Sequence, residues 1–152
     1  PGKKAIPARA ERSANVLYDA AYSSVFSVLL VGGFVCLFYL LADALHSSGA
    51  LRPAEELFSF VFRDRGAGEA FAGGLIECTR GCAALAALPR SPFAASLAAA
   101  IVSSGGASVI AQSLLFLNDS CCNRKIFLLS KGLQTAFSFP ICYALVSLFS
   151  VV

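Results

Sequence analysis

The chain has 152 residues, 57% of them hydrophobic and only 14% charged, with a net charge of +3 and a mean hydropathy of +0.74. A water-soluble domain of this size normally carries about 25% charged residues, so an ordinary soluble domain is excluded. The basic residues form no stripe interleaved with aromatics, which argues against a nucleic-acid partner.

Residues 1–15 read as a basic loop or arm carrying Lys3, Lys4, Arg9 and Arg12. It is too polar for a signal peptide. With no methionine in the chain, the expectation is the C-terminal part of a longer protein whose N-terminal half is missing. Three stretches carry no charge at all: residues 20–42, 91–118 and 132–152. Each has the roughly 20 apolar residues that a helix needs to cross a bilayer. The expected fold class is therefore all-α, a polytopic transmembrane helical protein in contact with membrane lipid, with spans of about 22–45, 91–117 and 132–152.

The first span holds Gly32 and Gly33, and Asp43 and His46 mark its exit. "HSSGALRP" is a turn, and an amphipathic helix follows over 53–65, where Leu57, Phe58, Val61 and Phe62 share a face. Glu55 and Glu56 sit at its start, and Arg63 and Arg65 at its end complement the helix dipole. Gly66 and Gly68 close it. A further intramembrane or re-entrant segment covers 69–89 and contains "GGLIECTRGC". Two prolines in "LPRSP" end it. The long uncharged stretch after it is interrupted at 103–108 by "SSGGAS". The polar loop "NDSCCNRK" includes a vicinal cysteine pair, Cys121-Cys122, and runs on to Lys131. The last span begins at 132 and holds Pro140.

Lysine and arginine counts bear on orientation. If 69–89 dips in and returns, one side carries seven and the other four, with Arg80 in the membrane; a full crossing gives five against six. The re-entrant arrangement, with a cytoplasmic N-terminal arm, fits the positive-inside rule better.

Two constellations carry chemistry. The first is Glu77 and Arg80, near the midpoint of a segment about 30 Å long as a helix. A charge at that depth costs roughly 2.5–3.5 kcal/mol. An i, i+3 ion pair would offset part of this, and the pair is read either as self-contained or as part of a ligand pathway. On a continuous helix Gly73, Glu77 and Gly81 share one face, with Gly74, Cys78 and Cys82 beside it, so that the charged face is also the one built for close helix packing. Thr79 adds a hydroxyl. The second constellation is the interrupted helix, in which Ser103, Ser104, Gly105, Gly106, Ser108 and Gln112 offer hydrogen bonds and half-helix ends. Non-helical backbone at that depth persists only inside protein or along a cavity. The expected ligand-binding residues are Glu77, Thr79, Arg80, Gly81, Ser104, Gly105, Gly106, Ser108 and Gln112. No Ser/His pair, His-Glu-x-x-His motif or paired aspartates suggest an enzyme. Six cysteines with one histidine and no Cys-x-x-Cys argue against structural zinc, and no cofactor is implied.

In wording and order these motifs resemble the C-terminal half of the sporulation integral membrane proteins of the YlbJ type, which carry a nucleoside-recognition (Gate) domain. The resemblance covers "VFSVLLVGGFVCLFYLL", "GLIECTRG", "GGASVIAQ" and "IFLLSKGLQTAFSFPICYAL". Glu77, Thr79 and Gly81 fall on one motif, and Gly106, Ser108, Ala111 and Gln112 on another; Ile110 stands where the resemblance leads one to expect histidine. It implies two inverted Gate-like halves, a bacterial cell membrane (that of forespore or mother cell), and movement of dipicolinate, a small planar dianion. Two readings stand: a permease half for a small, anionic molecule, or a structural and assembly protein of the spore membrane whose polar residues join helices. Self-association into a homo-oligomer is left open by either.

Overall fold

The structure, a computed structural model, describes residues 8–117 and 123–149; the predicted vicinal pair Cys121-Cys122 and residues 1–7 of the predicted arm lie outside them. All elements among the described residues are helical: α1 (Ala8–Ser47), α2 (Arg52–Phe62), α3 (Arg65–Ile76), α4 (Cys78–Ala86), α5 (Pro92–Ser104), α6 (Gly106–Leu117) and α7 (Arg124–Phe149). Three stretches among the described residues are long and apolar enough to cross a membrane: Asn15–Ser47, Pro92–Leu115 and Arg124–Phe149. The chain is thus an all-α protein of polytopic membrane character.

The backbone divides after Phe34 into two compact units. The first is the N-terminal part of α1, which starts at Ala8, inside the predicted arm. Its apolar side chains face outward; Leu17 is 73% exposed. Tyr18 and Tyr22 stack one turn apart with ring centroids 6.5 Å from each other. Ser24 and Ser27 donate to the carbonyls of Ala20 and Ser23 on their own helix. This satisfies their hydroxyls without any partner, as a helix surrounded by apolar material requires.

The second unit begins at Val35. Helix α2 starts with Pro53 in its first turn, where the missing N–H costs nothing, and ends where Arg63 turns left-handed at φ 54°. Gly66 and Gly68 do not close α2, as the sequence suggests; they lie inside α3. Asp64 caps α3, its carboxylate accepting from the Ala67 N–H at 3.0 Å. The Gly68 backbone sits directly on Ser59 of α2, leaving no space for a side chain. Phe58 and Phe62 meet Phe71 edge-on at 4.8 and 5.3 Å, so α2 and α3 form an antiparallel hairpin.

A second hairpin follows. Gly81 of α4 lies against Gly74 and Ala70 of α3, and Gly66 lies against Leu88. These pairings make α3 and α4 antiparallel, with the reversal at Glu77. At 12 residues, α3 is about 18 Å long, short of the roughly 30 Å hydrocarbon core. Segment 69–89 is therefore not one helix: it is two antiparallel helices that reverse at Glu77. Ser91 caps α5 by accepting from the Ala94 N–H at 3.1 Å.

Helix α7 runs antiparallel along α5. Phe139 meets Phe93 at 5.7 Å, and the Cys142 thiol points at the Ala95 carbonyl. Phe93 also meets Phe62 at 5.8 Å, so a chain of edge-to-face rings joins α2, α3, α5 and α7. Each such pair adds roughly 0.5–1.5 kcal/mol beyond its burial. The small core beneath consists of Ala67, Ala70, Leu85, Leu97 and Ile101.

A methyl group at Gly81 would fall 2.8 Å from the Ala70 carbonyl oxygen and closer still to Gly74. Gly81→Ala is expected to destabilise the protein by at least about 2–3 kcal/mol, through overpacking that the backbone cannot relieve. Gly132→Ala, with nothing within 4 Å of the new methyl, should be neutral. Thermal unfolding in detergent, followed by circular dichroism, measures both.

Candidate binding site at two broken helices

The sequence predicts Glu77 on a continuous helix; instead the helix stops there. Glu77 has extended backbone geometry (φ −142°, ψ 117°) and is at once the last cap of α3 and the first cap of α4. Its N–H donates to the Gly73 carbonyl at 3.0 Å. Its carboxylate folds over the start of α4, where Oε2 accepts from the Arg80 N–H at 2.9 Å and from the Thr79 hydroxyl. The Cys78 thiol approaches Oε1 at 3.7 Å. Glu77 is 0% exposed. A buried carboxylate is tolerable where backbone N–H groups and the positive end of a helix face it, and α4 supplies both.

The predicted Glu77–Arg80 pair does not form. Because the chain reverses at Glu77, the guanidinium of Arg80 points away and reaches Asp43 of α1, Nη2 to Oδ1 at 3.5 Å. It lies across the backbone of α3 at Gly73, where an added Cβ would be 2.5 Å from Nη1. The predicted shared face of Gly73, Glu77 and Gly81 is likewise replaced. Gly73 and Gly81 belong to opposing helices, and the close approach that was expected between separate spans occurs within the hairpin.

The second break is narrower than "SSGGAS" suggests. Helix α5 continues through Ser103 and Ser104, and α6 starts at Gly106. Gly105 and Gly106 have φ of 73° and 66°, a region that side chains strongly disfavour. The Gly105 N–H donates to the Ile101 carbonyl at 3.0 Å and closes α5. The Ser104 hydroxyl donates to Ile101 O at 2.7 Å and accepts from the Gly106 N–H at 3.3 Å. One turn on, the Gln112 amide donates to the Ser108 hydroxyl at 3.2 Å, and both residues are buried.

The two breaks touch. A Cβ on Gly106 would lie 2.9 Å from the Gly74 carbonyl oxygen and 3.0 Å from that of Ile76. The first turn of α6, positive by its dipole, thus abuts the last carbonyls of α3, the negative end. Ile101 fills the space over Gly74. All nine predicted ligand residues sit on these two breaks or within two turns of them. Glu77 and Thr79 bond directly, as do Ser104 with Gly106 and Ser108 with Gln112; the Arg80 side chain leaves the group.

Two residues of this region were missed by the sequence reading. The sequence marks Asp43 only as a helix exit, though it stands opposite Arg80. The sequence puts Lys131 at the end of the polar loop; it lies inside α7, and its ammonium donates to the Ser103 carbonyl at 3.3 Å, at the negative end of α5. The signal available was the apolar "IFLL" before it, which places Lys131 within a helix. Among the described residues no three His, Cys, Asp or Glu side chains gather as a metal-holding group.

Comparison with protein-family models, with curated proteins and with solved structures returns no match for this chain.

Glu77→Ala removes the cap of α4 and leaves the Arg80 N–H without its acceptor, at an expected cost of about 1–2 kcal/mol. Glu77→Gln keeps an oxygen for both donors and should retain most of that stability. Comparing the two thermal midpoints in detergent tests the capping role.

Proposed function

We infer that this chain is half of a membrane permease for a small anionic metabolite, with the substrate site where the two broken helices meet. The observation that carries the reading is the contact of two mid-helix breaks beside a fully buried carboxylate, Glu77. Interrupting two apolar helices sacrifices backbone hydrogen bonds in a setting without water to replace them. Transport proteins use such interruptions to aim half-helix ends at substrates and coupling ions. Here the ends of α3, α4, α5 and α6 converge, with Glu77, Thr79, Ser104, Ser108 and Gln112 as polar groups and Lys131 over the end of α5. Arg80 would attract the anion, and Glu77 would take a coupling proton.

The resemblance to the YlbJ-type Gate proteins extends the proposal. It gives dipicolinate as the substrate, the forespore or mother-cell membrane as the location, and an inverted N-terminal half as the partner that completes the site. On this reading the protein is not an enzyme. A second reading is favoured by a separate observation: among the described residues no buried side-chain nitrogen or oxygen lacks a hydrogen-bond partner. Polar groups satisfied among themselves are also what a purely structural or assembly protein would use to join its helices.

Uptake of radiolabelled dipicolinate by vesicles carrying the purified full-length protein separates the two. Glu77→Gln is expected to lower uptake per correctly inserted molecule at least about ten-fold, the size typical of a lost proton-transfer group. Unchanged uptake per molecule, with only the amount of inserted protein reduced, would favour the structural role.

A further inference from the structure

Beside α4 lies an open pocket of about 270 Å³ whose polar lining comprises Tyr39, Asp43, His46, Glu69 and Arg80. All five of these side chains are ionisable, and two have ion-pair partners of their own. The Glu69 carboxylate accepts from Arg65 at 2.8 Å, one turn away on α3. His46 Nδ1 is 2.6 Å from the carboxylate of buried Glu55. That leaves Arg80 and Asp43, and their bond is the loosest of the three ion pairs at 3.5 Å. A guanidinium and a carboxylate in good geometry meet at roughly 2.7–2.9 Å, commonly through two parallel bonds. The contact here is single and long, although Arg has five donors to offer.

The two partners are unequally anchored. The Arg80 side chain is 15% exposed and lies against the α3 backbone, where Gly73 makes room for it; Asp43 is 63% exposed. The cation is built in and the anion is free to leave. Arg80 is also the residue whose backbone N–H holds the buried Glu77 carboxylate. A ligand drawn to its guanidinium would therefore arrive one residue from that contact.

We propose that Arg80 is the anchoring cation for an incoming organic anion, and that Asp43 is its exchangeable counter-ion, displaced when a carboxylate of the ligand takes its place. The proposal rests on the anion-transport reading and specifies where that anion first binds. Asp43 keeps the guanidinium neutralised while no ligand is present. It competes with every ligand carboxylate, so it lowers the affinity for all of them by the same factor.

Dipicolinate and acetate serve as probes, a dicarboxylate and a monocarboxylate, with binding to the purified full-length protein measured by calorimetry. Removing the competitor by Asp43→Asn should tighten dipicolinate binding about three- to five-fold, as expected for loss of a partly exposed ion pair. Acetate binding should improve by a similar factor, because the competitor removed is the same. Arg80→Gln should weaken dipicolinate at least about ten-fold, and in that background Asp43→Asn should bring no gain. Should Arg80→Gln fail to fold, Arg80→Lys keeps the charge but not the fork, and should give intermediate binding. Dipicolinate bound by the wild type with an affinity that Asp43→Asn leaves unchanged or lowers would overturn the counter-ion role and leave transport standing. The predicted binding pattern without uptake into vesicles would overturn transport and leave the anchoring site standing. No binding of either anion to the wild type or to Asp43→Asn would overturn both.

Discussion

Two interrupted helices touch through their backbones, and most of the second unit is arranged around that contact. It needs the absence of side chains at three places. Gly74 and Gly81 let α3 and α4 close into a hairpin, and Gly106 lets the start of α6 reach the carbonyl oxygens of Gly74 and Ile76. The electrostatics favour the same arrangement. A helix end carries about half an elementary charge, and here an N-terminal end meets a C-terminal one. Apolar packing around the junction, by Ile101 over Gly74 and by the ring chain from Phe58 to Phe139, keeps these polar ends out of lipid.

The charges near the breaks each have a local anchor. Glu77 faces the amide hydrogens of α4, and Lys131 faces the carbonyl end of α5. Both are placed at the helix end that stabilises their sign, which lowers the cost of holding them in apolar surroundings without a salt bridge between them. Arg80 works in two directions, its backbone toward Glu77 and its guanidinium toward Asp43. The carboxylate at the break and the pocket beside α4 are thereby connected through one residue.

Much of the architecture was legible from residue order. The uncharged stretches marked the apolar segments, because a bilayer-sized run of apolar residues has few other uses. "SSGGAS" marked the second break because glycine pairs and serines weaken a helix. The first break was not legible in the same way. "GGLIECTRGC" has no proline or paired glycine at its turning point, and every residue from Leu75 to Thr79 is compatible with a helix. What stops α3 is the Glu77 side chain bending back to cap α4, a local bond that competes with helix continuation. Lys131 was misplaced for a related reason: a lysine reads as the edge of a span unless something inside the protein, here the Ser103 carbonyl, is known to receive it.

Composition and charge spacing by themselves determined the all-α class, the three apolar segments and the glycine–serine interruption at 103–108, since these follow from transfer energies and backbone propensities that act within a single segment. Tertiary structure alone decided that segment 69–89 reverses, that Glu77 and Arg80 part company, and that the two interruptions meet. Each depends on which backbone can approach which, and so on glycines far apart in the chain lying opposite one another. An i, i+3 spacing says that two charges are neighbours only where the helix between them is unbroken, and the carboxylate of Glu77 is what breaks it.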